Sequence, residues 1–210
     1  QLVAMLSTGS GSLTIMHGLV NRAIQRFVTD SYGEARWKAA ANLADIGVAD
    51  FEAMWIYDDA LTSRVLAAVC DVLDRPYEEL MEDIGTYLVS HPNVEALRRL
   101  LRFGGVSFEE FLHSLDDLPD RARLAVADLE LPERELREHG AGSYSLRCNG
   151  RIPGCGHLFM GILRALADDY GALVLLEHQG QADGVETVEI SLLESAFSKG
   201  RGFDLGARAI

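Results

Sequence analysis

The chain is short of cysteine, proline and positive charge, and it has no long apolar run. Its three cysteines, Cys70, Cys148 and Cys155, are too few and odd in number for a disulfide framework. A reducing cytoplasm is the default compartment for such a chain. No stretch approaches the roughly 20 apolar residues of a membrane span. Lys and Arg number 19 against 32 Asp and Glu, a net charge of -13. Such a surface repels phosphate backbones, which argues against nucleic acid as a partner, and it equally disfavours anionic membranes. No basic leader segment opens the chain. Residues 1–15 include the linker-like Ser7-Thr-Gly-Ser-Gly-Ser12 and read as a cloning remnant or a disordered arm. What is present is 210 residues with 48% hydrophobic content, enough for one domain with a sizeable core.

The first half has helical periodicity. Leu19, Val20, Ala23, Ile24 and Phe27 recur at helical spacing, and Tyr32-Gly33 ends that run. Further helices are expected over Glu34–Leu43, Ala60–Leu73, Glu78–Val89 and Val94–Phe103, the last capped by Asn93. Gly104-Gly105 reads as a flexible joint. Ser107 and Glu110 form a capping box for a helix from Phe108. The second half changes period. Leu124–Leu131 and Ser143–Cys148 read as short strands, Gly156–Tyr170 as an amphipathic helix, and Ala172–His178 with Val185–Leu193 as a hairpin. The class is α+β: an amino-terminal helical half packed on a carboxy-terminal antiparallel sheet with helices. Residues 16–197 form the domain, and 198–210 read as a flexible tail.

Met16-His-Gly-Leu-Val-Asn-Arg-Ala-Ile-Gln25, Phe108-Glu-Glu-Phe-Leu-His-Ser-Leu-Asp-Asp-Leu-Pro119, Pro132 and Ser143-Tyr-Ser-Leu-Arg147 together resemble the H-NOX family of heme-nitric oxide/oxygen binding sensor domains, from about Met16 to Glu194. The resemblance implies heme held between the two halves and three working parts. A helix histidine binds the iron, a Tyr-x-Ser-x-Arg strand hydrogen-bonds the propionates, and a later proline presses on the porphyrin. It implies a sensor of nitric oxide, oxygen or another small apolar ligand. Bacterial members regulate a histidine kinase or a cyclic-di-GMP enzyme, a diguanylate cyclase or phosphodiesterase.

The pattern is matched in part. Ser145 and Arg147 stand at the family's Ser and Arg, Ser143 stands at its Tyr, and Tyr144 lies one step out of register on the opposite strand face. Pro132 stands at the porphyrin-pressing position. Where the family has Leu-Asp-x-Leu-His, this chain has Leu115-Asp-Asp-Leu-Pro119, and proline has no donor for iron. Stepping about 100° per residue from Phe108, Pro119 falls at about 20°, on the apolar face, and His113 at about 140°, on the opposite side. His157, opening the later helix, is a distal iron candidate; His17 is a weaker one. Cys148 and Cys155, with His157 and His139, form a zinc alternative of unusual spacing, or a redox-responsive thiol pair. Cys70 reads as core. No phosphate loop, nucleophile elbow or paired Cys/His with a base occurs, so an enzyme is not expected. A pure protein-interaction domain is the remaining alternative.

Overall fold

In the computed structural model, residues 15–47, 50–125 and 131–201 are described. A short strand β1 (Ile15–His17) leads into α1 (Gly18–Tyr32) and α2 (Glu34–Leu43). Strand β2 (Ile56–Asp58) pairs antiparallel with β1 and leads into α3 (Asp59–Leu73) and α4 (Tyr77–Ser90). Asp58 caps α3, its carboxylate accepting from the Ala60 amide at 2.8 Å, the bond that short acidic side chains make at helix starts. A 3-10 turn at Pro92–Val94 precedes α5 (Glu95–Arg102), α6 (Phe108–His113) and α7 (Leu118–Ala125). The carboxy-terminal half holds β3 (Glu133–Gly140), β4 (Ser143–Asn149), α8 (Cys155–Tyr170), β5 (Leu173–Ala182) and β6 (Val185–Glu194).

The last four strands form one antiparallel sheet in the order β3-β4-β6-β5. Because side chains alternate across a strand, one face collects Tyr144, Leu146, Cys148, Val188 and Ile190. These pack with Phe159, Leu163 and Leu166 of α8 and with Phe108, Phe111 and Leu112 of α6. A second core joins α1 to α4 through Ile24, Phe27, Trp37, Phe51, Val65, Leu66, Leu80 and Ile84. Leu158 packs against both cores.

Helices α4 and α8 bridge the halves and meet at two glycines. A Cβ built on Gly85 would overlap the Leu158 carbonyl, and one on Gly161 the Glu82 carbonyl. Glycine is required there for backbone-to-backbone approach.

Several expectations are corrected. Leu124 and Ala125 belong to α7, residues 126–130 lie outside the described ones, and the strand beside β4 is Glu133–Gly140. That strand lies at the sheet edge with most residues wet, so its sequence carries no apolar alternation. Asn93 does not cap α5; its amide nitrogen donates to Asp30 at 2.9 Å, and the His91 ring accepts from the Asn93 backbone N–H at 3.2 Å. Gly104-Gly105 is a packed joint rather than a loose one. A Cβ on either glycine would collide with Ser114 or Glu110, and the Gly105 carbonyl accepts the Tyr170 hydroxyl at 2.9 Å. Beyond β6, Ser198 donates to the Gly171 carbonyl and Arg201 to the Asp169 carbonyl, each at 3.0 Å, so the chain is anchored through Arg201. Residues 1–14 and 202–210 lie outside the described ones.

Candidate functional site

Ser107 opens α6 with half of its capping box: its hydroxyl accepts from the Glu110 amide at 3.2 Å, while the Glu110 carboxylate accepts from the Val106 amide at 2.8 Å, one residue before the cap. Phe108, Phe111, Leu112 and Leu115 are fully buried, as the helical spacing demands. The helix nevertheless stops at His113, and a new one starts at Leu118 with Pro119 in its first turn, where a missing N–H costs nothing. Two arginines satisfy carbonyls freed by the break. Arg121 donates to the Ser114 carbonyl at 2.8 Å, and Arg134 donates through Nε to Leu115 at 2.8 Å and through Nη1 to Pro132 at 2.7 Å. Pro119 is half-buried and Pro132 is fixed beside this break.

Strand β4 splits the residues singled out on it. Tyr144 lies on the inner face, and its hydroxyl donates to Glu109 at 2.9 Å. Burial, followed by the Glu109 carboxylate, pushes its phenol up to about 12. Ser143, Ser145 and Arg147 share the outer face. Ser143 is exposed, Ser145 is hydrogen-bonded to His139 Nε2 at 2.7 Å, and the 41%-exposed Arg147 side chain lies 3.6 Å from Glu135. Their strand face is turned away from the apolar cluster around Phe108 and Leu112.

A third group gathers where α8 begins. Gly154, with φ 88°, turns the chain so that three amides converge on Glu186 of β6: Gly154 at 2.7 Å, Cys155 at 3.1 Å and Gly156 at 3.0 Å. A further partner of this buried carboxylate is His178 Nε2, 3.0 Å away. The His178 Nδ1 accepts from the Gly180 amide at 3.1 Å, which leaves Nε2 as the protonated donor. Burial alone would raise the Glu186 carboxyl, but the bonds from His178, Gly154, Gly156 and Cys155 hold it below the ordinary glutamate range. His157 stacks on His178 with ring centroids 4.2 Å apart. Burial, then the neighbouring His178, lowers its proton affinity. The Cys155 sulfur lies 3.1 Å from that of Cys148 and 3.6 Å from Glu186.

Of the residues picked from the sequence, the structure therefore brings Cys148 and Cys155 together and stacks His157 on His178. It separates Pro119 and Pro132 from Ser143, Ser145 and Arg147. Glu186, His178 and Arg134 were missed. For the first two the signal was strand parity: Glu186 shares a face with Val188 and Ile190, and His178 shares one with Val174 and Leu176.

The donor set at the α6–α7 break does not fit an iron-held heme. The Pro119 ring has no donor for iron, and among the described residues the apolar side chains of α6, α8 and the sheet pack on one another. His113 reaches only the rim of that cluster, half-exposed, 5.8 Å from the Tyr144 ring and 3.8 Å from Glu138. Nor do the atoms at the start of α8 fit a zinc ion. Both Glu186 oxygens and both His178 nitrogens are committed to protein partners. Among the described residues, no group of three or more His, Cys, Asp or Glu is placed to hold a metal. None of the described helices is long and apolar enough to cross a membrane.

A family model described as Haem-NO-binding matches residues 17–178. Among curated proteins, the chain is 24% identical to soluble guanylate cyclase gcy-31 of Caenorhabditis elegans over 154 residues, 73% of this chain and 22% of that protein. It is 23% identical to soluble guanylate cyclase 89Db of Drosophila melanogaster over 184 residues, 85% of this chain and 27% of that protein. The chain thus spans about a quarter of the length of these relatives. Among solved structures, a triple-alanine mutant of an H-NOX protein from S. oneidensis in the Fe(II) ligation state superposes with a TM-score of 0.73 at 15% identity, covering 86% of this chain and 97% of that one. The Fe(II) unliganded H-NOX protein from K. algicida gives a TM-score of 0.70 at 16% identity, covering 88% and 100%.

Proposed function

The chain belongs to the haem-NO-binding family, and from that premise we propose that it is a signalling input domain without iron-held heme, whose conformational state is read by a partner enzyme. The observation that carries this reading is the α6–α7 break. The residue at that point is the half-buried Pro119, whose ring has no donor for iron, and the carbonyls around it are filled by Arg121 and Arg134. A domain that kept the family fold and lost its metal anchor retains the output surface and takes a different input. The partner is a signalling enzyme: a nucleotide cyclase of the kind the curated relatives are named for, or a histidine kinase or cyclic-di-GMP enzyme. The domain itself performs no catalysis.

The test is an absorption spectrum of protein purified with added heme and passed through gel filtration. The expected result is no Soret band that survives the column and none that shifts with nitric oxide. A stable, nitric-oxide-sensitive band overturns the reading. In that event its loss in His157→Ala would identify the iron ligand, and its loss in Arg147→Ala would identify the propionate contact.

A further inference from the structure

Cys148 closes the inner row of β4, and Cys155 opens α8. Their residues are 1% and 3% exposed, and their sulfurs stand 3.1 Å apart. A disulfide needs about 2.05 Å, so the pair lies roughly one ångström short of a bond. The loop between them is short, and its far end is pinned: the Tyr77 hydroxyl of α4 donates to the Pro153 carbonyl at 2.9 Å. No metal ligand competes for the sulfurs, because Glu186 and His178 are saturated by protein hydrogen bonds.

The two thiols are not equivalent. Cys155 stands at a helix start, its sulfur 3.6 Å from the Glu186 carboxylate. Cys148 is held protonated by its bond to Cys155 and by burial. The loop between them covers Cys155 at Gly150, where an added Cβ would lie 3.7 Å from the sulfur, and it exposes Asn149, Arg151 and Pro153. A small uncharged oxidant passes such a cover more readily than a bulky disulfide does.

We propose that Cys148 and Cys155 are a modification site for a small peroxide, closing to an intramolecular disulfide; its role as the domain's input rests on the signalling function proposed above. The Cys155 sulfur attacks hydrogen peroxide and breaks its O–O bond, giving a sulfenic acid and one water. The Cys148 sulfur then attacks the sulfenic sulfur, the S–O bond breaks, and a second water leaves. Two thiols and one peroxide give one disulfide and two waters, with sulfur oxidised and peroxide oxygen reduced. Closure draws the start of α8 toward β4. Because α8 meets α4 backbone to backbone at Gly85 and Gly161, that movement is passed to the helical half.

The full chain treated with stoichiometric hydrogen peroxide is expected to lose two hydrogen masses and to keep one alkylatable thiol, Cys70, of its three. A non-reduced tryptic digest should join Cys148–Arg151 to Ile152–Arg164. Cys148→Ser should stop at a sulfenic acid trapped by dimedone, and Cys70→Ala should close normally. Three alkylatable thiols after treatment, or closure only in denaturant, overturns the site. Closure with no change in amide exchange of α4 and α8 overturns the coupling. Closure that leaves partner activity unchanged sinks the signalling role while the modification stands. None of these outcomes depends on the heme spectrum.

Discussion

The Arg134 guanidinium donates through Nε to the Leu115 carbonyl at 2.8 Å. Strand β3 thereby supplies the bond that the interrupted α6 cannot. Burial pulls this arginine's proton affinity down to about 10, a mark of how far it is withdrawn from water. Arg134→Met should leave the Leu115 and Pro132 carbonyls short of donors and cost about 1–3 kcal/mol, measured as a lower urea midpoint. Arg134→Lys should recover less than half, because an ammonium cannot span both carbonyls as a planar fork does.

Asp169, 1% exposed, receives Arg98 Nε at 2.5 Å and lies 3.7 Å from Arg201. Asp169→Ala strips the counter-ion from a largely buried guanidinium, and the expected loss is about 3–5 kcal/mol. Arg201→Ala, on the exposed side of the same carboxylate, should cost at most about 1 kcal/mol. Chemical denaturation of both variants checks the ratio.

Gly85→Ala and Gly161→Ala each place a methyl group against a carbonyl of the facing helix. Each should destabilise by about 1–3 kcal/mol, the usual range for overpacking. The pair should be non-additive, since opening the seam for one methyl makes room for the other. A double-mutant cycle in thermal or urea unfolding measures it.

Glu186 gives a pH dependence. Despite the burial that opposes ionisation, its bonds to His178, Gly154, Gly156 and Cys155 keep its folded carboxyl below the ordinary value of 4.5. Its contribution to stability is therefore complete above the unfolded value and is lost as pH falls through the lower folded one. Thermal midpoints should fall steeply below about pH 4.5, and Glu186→Gln should flatten that stretch while lowering the plateau. An unchanged acid limb in the variant would count against this assignment.

The architecture is largely legible in the sequence because periodicity is a local property. The helix over Glu34–Leu43 matches its expected span to the residue, and those ending at Tyr32, Leu73 and Tyr170 match to within a residue or so. What is not legible depends on distant partners. The edge strand Glu133–Gly140 has no apolar row because water meets most of it. The stop at His113 depends on Arg121 and Arg134, one and two elements further along the chain. Helical spacing sets Phe111, Leu112, Leu115 and Leu118 on one face, and all four are buried although the helix expected for them breaks. The residue types around the start of α8 are visible, but Glu186 and His178 reach Cys155 only through the β5–β6 hairpin.

The amide nest at the first turn of α8 also has a consequence for what this domain can recognise. Helix starts with free amides are where proteins commonly seat phosphate groups and other anions. Here a side chain of the same molecule fills that seat from within, tethered at no translational cost. An incoming phosphate or nucleotide would have to displace Glu186 and leave its carboxylate buried beside Cys155. The helix end thus serves as an internal fastening of sheet to helix and is closed to anionic ligands.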